Sequence, residues 1–234
     1  MRVAVITGIF SPKSKIEIKY SNYFDEYDYF CYTCDSENIQ VDSKITRIIL
    51  PNKDLDKKYS ARRVGKIPKI LSHLLLPSYD IYIWCDATHE PCINLKELKD
   101  ILGDNDCALF KHPHRICVYE EAAECSRNKL DHQNLIDDTV VWLSSIGFPS
   151  NCGLYEMTSF IRKNNKKCNN AFSLWYSAVS KLSSRDQLSF MPCACETNIS
   201  IKLLEGSAQI YFGGNKYFKQ IKPSLRISGV VDYV

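Results

Sequence analysis

The order of segments along the chain predicts an α/β fold, a mostly parallel, Rossmann-like sheet flanked by helices. Three observations carry that prediction. Short runs rich in Val, Ile and Tyr alternate with longer stretches of helical apolar spacing, the pattern of a sheet covered on both faces. Hydrophobic residues make up 45% of the 234 positions, enough for a real core. Neither an internal repeat nor a low-complexity linker divides the chain, so residues 1–234 read as a single domain.

Val3 to Ile6 reads as a short buried strand, and Tyr29 to Thr33 as a second, ending at Cys34 and Asp35. Ile45 to Leu50 is a third, closed by Pro51-Asn52. From Ser60 to Leu76 the apolar residues Val64, Ile67, Ile70, Leu71 and Leu74 recur at helical spacing, with Pro68 marking a helix start or a kink. Ile81 to Cys85 is the fourth strand, Leu95 to Leu102 a helix stopped at Gly103, and Cys107 to Lys111 the fifth strand. Asp131 to Ile146 is a helix ended by Gly147 and Pro149. Leu154 to Arg162 follows as a strand, Ala171 to Leu182 as a helix carrying Trp175, and Gln187 begins one more helix.

Composition excludes several classes. A net charge of +3 gives no general electrostatic case for nucleic acid. No stretch approaches the apolar length of a transmembrane helix. The opening MRVAVITGIFSPKSK lacks the longer apolar region of a signal peptide and suits a first strand. Eleven cysteines, an odd number in a chain of this size, are expected as reduced thiols in a cytoplasmic protein. Cys31 and Cys34, and Cys193 and Cys195, form pairs without a second pair at zinc-finger spacing, so they read as small core residues.

The segment YDIYIWCDATHEP poses the functional question, because a buried-looking strand ends abruptly in Asp86. Open α/β sheets bind ligands beyond the carboxyl ends of their strands, where Asp86 and Asp35 are placed. A carboxylate there suits a hard divalent cation that neutralises a phosphate; Asp as the cap of a turn or helix is the other reading. Arg62, Arg63 and Lys66 lie within one helical turn or its lead-in and suit a diphosphate. Arg63 and Lys66, three apart, are expected to face the same way. After the fifth strand, His112, Arg115, Glu120 and Glu121 alternate with apolar residues in FKHPHRICVYEEA.

The segments ARRVGKIPKILSHLLLPSYDIYIWCDA, FKHPHRICVYEEA, GFPSNCGLYEM and SRDQLSF resemble, in the same order, a glycosyltransferase-like family long catalogued as a domain of unknown function. Its members include plant proteins linked to seed-mucilage pectin and turgor regulation, with bacterial and viral relatives. VAVITGIF and YDYFCYTCDS resemble its first two strands, so the likeness covers roughly residues 1 to 192. It implies a GT-A-like fold, with residues 1–105 mainly binding a nucleotide sugar and 106–234 mainly binding acceptor and carrying catalysis. The implied reaction moves a sugar from a nucleoside-diphosphate sugar, UDP-sugar foremost, to a glycan or other hydroxyl acceptor.

The same resemblance implies a divalent metal, Mn²⁺ or Mg²⁺, usually held by Asp-x-Asp. Here Asp86-Ala87-Thr88 stands in that place, which leaves Asp86 as the metal residue, with Thr88 or His89 able to assist. Thr7, Asp35, Arg62, Arg63, Lys66 and Asp86 are the expected donor-binding residues, and His112, Arg115, Glu120, Glu121, Gly153 and Glu156 the expected acceptor-binding ones. A more distant likeness to retaining transferases of the glycogenin type matches Asn151-Cys152-Gly153 and the Asp186-Gln187 pair, and makes Asp186 and Gln187 the expected catalytic residues. The late histidine of those enzymes has no counterpart after His132; Lys216, Lys219 or Lys222 would serve the phosphate instead. Asp186 as a helix N-cap, and one of Glu120 and Glu121 as a structural partner of Arg115, stand beside these roles. Nucleotidyl transfer and a non-catalytic scaffold are the alternative functions.

Overall fold

The structure is a computed structural model that describes residues 1–10, 15–35, 37–50 and 60–221. Pro51, Asn52 and Lys222 lie outside the described residues. In chain order the elements are β1 (Val3–Ile9), β2 (Ile16–Ile18), β3 (Tyr27–Thr33), β4 (Ile39–Val41), β5 (Ile45–Ile49), α1 (Ser60–Ile70), α2 (Ser72–Leu75), β6 (Ile81–Cys85), β7 (His89–Pro91) and α3 (Leu95–Leu102). They continue with β8 (Cys107–Lys111), α4 (Val118–Arg127), α5 (Gln133–Ser145), β9 (Tyr155–Lys163), α6 (Lys166–Lys181), α7 (Gln187–Thr197), β10 (Ile201–Leu204), a 3₁₀ turn at Ile210–Phe212, and β11 (Phe218–Gln220).

Seven strands form the central sheet in the order β10-β8-β9-β6-β1-β3-β5. Every pairing is parallel except those of β9, which runs antiparallel to both β6 and β8. The expected α/β architecture is therefore present, with one reversed strand in its middle. That reversal matters for the site. It brings the start of β9, Tyr155 and Glu156, to the edge where β6 and β8 deliver their carboxyl ends.

Both faces of the sheet are covered, and the strand pleat divides the core accordingly. Val3, Val5, Ile81 and Ile83 face one layer with Leu98 of α3. Ala4, Ile6, Tyr82 and Trp84 face the other, against Ile70 of α1, Phe172 and Trp175 of α6 and Phe190 of α7. A third cluster, with Val118, Ala122, Cys125, Ile136, Leu143 and Leu188, fixes α4 and α5 against the start of α7.

Several boundaries differ from expectation for identifiable reasons. The expected helix 60–76 is two helices, parted at Leu71, and Pro68 sits inside the first of them. α4 is absent from the sequence reading because its polar residues look like surface alternation; its buried residues Val118, Glu121, Ala122 and Cys125 nonetheless follow the helical period. β2, β4, β7 and β11 have three residues each, too few to show a periodicity. All eleven cysteines are free.

Candidate functional site

β6 carries five consecutive buried residues and then releases the chain at Asp86, whose side chain is 44% exposed. The abrupt change has a local cause. The Asp86 amide donates to the Thr158 carbonyl of β9 at 2.8 Å, and its carbonyl accepts from His89 N in a tight turn. The Trp84 indole, two residues back on the same face, donates to Asp86 Oδ1 at 2.8 Å. The carboxylate is thus fixed at the carboxyl end of the sheet, facing the layer that holds α1, α6 and α7.

From α1 come two ammonium groups. Lys66 and Lys69 are one helical turn apart, and each places Nζ 2.7 Å from Asp186 Oδ2. Lys69 also lies 3.9 Å from Asp86 Oδ1 and over the Trp84 ring, 5.6 Å from its centroid. Lys69 was not among the expected residues, although its spacing of three from Lys66 was the available signal. Asp186 caps α7, with Oδ1 accepting from Gln187 N at 3.1 Å, while the Trp175 indole holds its carbonyl at 3.0 Å. The expected cap is present, together with ion pairs to two lysines.

Burial shapes the charges here. It pushes the Lys66 ammonium down to about 8 against the opposing pull of Asp186. Burial alone would raise the Asp186 carboxyl, but Lys66 and Lys69 outweigh it and hold it well below the usual carboxylate range. Asp186 is thus a firmly ionised counter-ion and a poor base.

The loop that presents Asp186 is tied down by a residue the sequence reading missed. Buried Asp131 accepts from Ser183 Oγ at 2.9 Å, Ser184 N at 2.7 Å and Ser184 Oγ at 2.8 Å. Thr139 Oγ1 accepts from Ser183 N at 3.0 Å. On the other side of Asp186, Arg185 donates to Gln187 Oε1 at 3.0 Å and stands 3.9 Å from Glu121. Buried Glu121 pairs with Arg115 at 2.6 Å and faces His112 Nε2 at 3.8 Å. His112 Nδ1 accepts from the amides of His114 and Arg115, so its ring shapes the loop; burial lowers its pKa. His112, Arg115, Glu121, Arg185 and Gln187 therefore form one chain of polar contacts leading to Asp186.

Other expected residues are placed differently. Arg63 does not share the direction of Lys66: its guanidinium donates to the carbonyls of Val179, Ser180 and Leu182 at the end of α6. Arg62 donates to the Leu130 carbonyl. Asp35 caps its own turn, accepting from Glu37 N, Asn38 N and Asn38 Nδ2; the Asn38 amide lowers its pKa. Thr7 is fully buried within β1. Glu120 is exposed, unlike its neighbour Glu121. Glu156 is buried against Ser207 and Ala208 N, and burial raises its pKa. Gly153, at φ 96°, turns the chain into β9 and donates to the Ile116 carbonyl; a side chain would be strained there. Lys216 lies over the Tyr217 ring, and Lys219 approaches buried Glu90 and Ser21.

A divalent cation needs several oxygen donors. Of the expected set, Thr88 Oγ1 and both nitrogens of His89 are already engaged, His89 with Thr88 and with the Ala208 carbonyl. Asp186 is committed to two lysines. Asp86 alone remains, with one oxygen held by Trp84 and an ammonium 3.9 Å away. Two unit charges about 4 Å apart interact by about 4 kcal/mol at an effective dielectric of about 20, and a dication doubles that repulsion from Lys69. Among the described residues no cluster of three His, Cys, Asp or Glu could hold a metal. Without the phosphates of a nucleotide, these residues do not by themselves assemble a Mn²⁺ or Mg²⁺ site.

At the carboxyl-end edge of this open α/β sheet two acids, two lysines and an arginine network come together, the edge at which sheets of this class bind ligands. Residues 7–206 match the TOD1/MUCI70, glycosyltransferase-like domain, and the chain belongs to that family. A curated relative, the probable hexosyltransferase MUCI70 of Arabidopsis thaliana, is 28% identical over 158 residues, 61% of this chain. That stretch is 27% of the relative, so the chain spans only part of its length. Among solved structures, apo mouse xyloside xylosyltransferase 1 aligns over 87% of this chain and 85% of its own, with a TM-score of 0.45 and 9% identity. The apo WbbM bifunctional glycosyltransferase aligns over 87% of this chain and 38% of its own, with a TM-score of 0.45 and 11% identity. Among the described residues no helix is long and apolar enough to cross a membrane.

Proposed function

We propose that this domain transfers a hexosyl or related glycosyl group from a nucleoside-diphosphate sugar, with UDP-sugar the first candidate, to a hydroxyl of a glycan acceptor. The observation that carries the reading is the Lys66–Lys69–Asp186–Asp86 cluster at the carboxyl end of β6. In the reaction the bond from the anomeric carbon to the diphosphate oxygen breaks, its electron pair leaves with the diphosphate, and the acceptor oxygen bonds to that carbon. Lysine ammoniums stabilise the charge that grows on the leaving group. Asp86, partly exposed, accepts hydrogen bonds from donor hydroxyls, and Gln187 offers its amide to the transferred sugar. Asp186 holds the lysines in place rather than touching the sugar.

Retention of configuration is the stereochemical outcome this reading favours. Inversion needs a free base on the face opposite the leaving group. Asp186 and Glu121 are each engaged in ion pairs, Asp186 is a poor base, and Glu156 is held by Ser207 Oγ and the Ala208 amide. The leaving diphosphate oxygen can take the acceptor proton on its own side. Residues 1–105 supply Lys66, Lys69 and Asp86 to the donor, and residues 106–234 supply the Glu121–Arg185 network and Glu156 to the acceptor side. A reducing compartment such as the cytoplasm suits eleven free thiols.

The test is a panel of nucleotide sugars labelled in the sugar, incubated with the 234-residue chain and glycan oligosaccharides. Label on the oligosaccharide with release of nucleoside diphosphate is the expected result. Label retained on a nucleotide-bearing product would mean nucleotidyl transfer, and binding without turnover would mean a scaffold.

A further inference from the structure

We infer that the positive charge meeting the donor's diphosphate comes from the ammonium groups of Lys66 and Lys69, so that nucleotide binding needs no divalent cation. The inference rests on the nucleotide-sugar reading above and deepens it.

Three observations point the same way. The two ammoniums converge on one carboxylate oxygen, Asp186 Oδ2, each at 2.7 Å. One carboxylate neutralises one ammonium, so the pair carries a surplus positive charge. Asp86 offsets that surplus only in part, from 3.9 Å and with 44% of its side chain open to solvent. Second, both lysines are largely withdrawn from water, with side chains 12% and 7% exposed. Withdrawing a surplus cation is costly, and its natural compensation is an anion that arrives from outside. Third, the surplus is not local to the lysines. Arg115 and Arg185 face Glu121 on the far side of Asp186, so the named cations outnumber Asp86, Asp186 and Glu121 across the whole network.

Lys69 is held between the Trp84 ring and two carboxylates, and Asp86 beside it is the exposed member of the set. Asp186 shares its ammoniums with the phosphate oxygens of a bound diphosphate while remaining capped on Gln187 N. A cation placed at Asp86 would instead compete with Lys69 for the same carboxylate.

The experiment measures UDP binding to the 234-residue chain by calorimetry, in EDTA and in saturating Mn²⁺ or Mg²⁺, with GDP as a second probe. The expected result is nucleoside-diphosphate affinity in EDTA within about twofold of that with metal, and a loss of at least about tenfold in Lys69→Met. Lys69→Arg, which keeps the charge, should recover part of the loss. Melting temperatures of both variants are measured alongside. If Lys69→Met does not fold, the EDTA comparison on the unaltered chain still decides. Binding that vanishes in EDTA and returns with metal overturns the inference and leaves the nucleotide-sugar reading standing. Metal-indifferent binding that survives in folded Lys69→Met also overturns it. No binding of either nucleotide under any condition overturns both.

Discussion

Lys69 and Asp186, contributed by α1 and by the cap of α7, meet at 2.7 Å, and the same ammonium stands 3.9 Å from Asp86 at the end of β6. Three segments remote in sequence are thereby tied at one point. The tie makes the electrostatics of the site and the stability of the fold depend on the same groups.

Asp186→Asn should keep the cap on α7, because Asn and Asp cap about equally well. It should still destabilise the domain by about 3–5 kcal/mol, since two buried ammoniums lose their counter-ion. Urea denaturation measures this; a loss below about 1 kcal/mol would show that the lysines are stabilised from elsewhere. The pH dependence has a definite sign. The folded-state pKa of Asp186 is depressed, so its contribution is complete above the unfolded carboxylate value of about 4 and is lost as pH falls below that.

Lys66 gives the opposite end of the pH range. Its ammonium is pushed down to about 8 by burial, with Asp186 opposing and Lys69 and Arg185 adding to the effect. Affinity for a nucleoside diphosphate should therefore fall as pH rises through about 8. From this group alone, stability should rise between about 8 and the unfolded lysine value of about 10.4, because the unfolded chain binds more protons there. Calorimetry of UDP binding across that range checks the first statement, and a flat profile would remove Lys66 from the anion site.

Asp131 should matter without touching any substrate. Asp131→Ala removes the acceptor of three hydrogen bonds from Ser183 and Ser184. A loss of about 3 kcal/mol in unfolding free energy is expected, with a larger fall in turnover than in donor affinity, because the loop bearing Asp186 loosens. Ser184→Ala should cost about 1 kcal/mol, since it loses one hydroxyl bond.

The neighbouring glutamates should part company. Glu121→Gln leaves Arg115 and Arg185 facing a neutral group in a buried network and should cost about 3–5 kcal/mol. Glu120→Gln, on the exposed face of the same helix, should stay within about 0.5 kcal/mol of the unaltered protein. Equal effects would mean that the Glu121 network contributes nothing beyond surface charge.

Arg63→Met tests a reassigned residue. It should destabilise the domain by about 1–3 kcal/mol, because the carbonyls of Val179, Ser180 and Leu182 lose a charged donor. Nucleoside-diphosphate affinity should be unchanged in the folded variant. A selective loss of affinity at normal stability would return Arg63 to the donor site.

The sequence by itself determined the strand–helix alternation, the bounds of β6, α3 and β8, and the delivery of Asp86 at a strand end. These are local matters, set by apolar runs, by turn residues and by the caps around them. It also placed Asp186 and Gln187 at the start of a helix, since an acid before an apolar pattern is a cap in any context. What tertiary structure alone decided is who faces whom. The reversal of β9 depends on strand pairing across the sheet, which leaves no periodic mark, yet it brings Glu156 to the edge where β6 and β8 end. The roles of Arg63 and Lys66 parted because one reaches the end of α6 and the other the cap of α7, partners that helical spacing cannot reveal. Lys69 and Asp131 acquire meaning only when α1, α5 and the loop before α7 are packed together. Their neighbours in the chain are ordinary, and the charges that define them come from residues distant in sequence, where only long-range packing brings an ammonium and a carboxylate into contact.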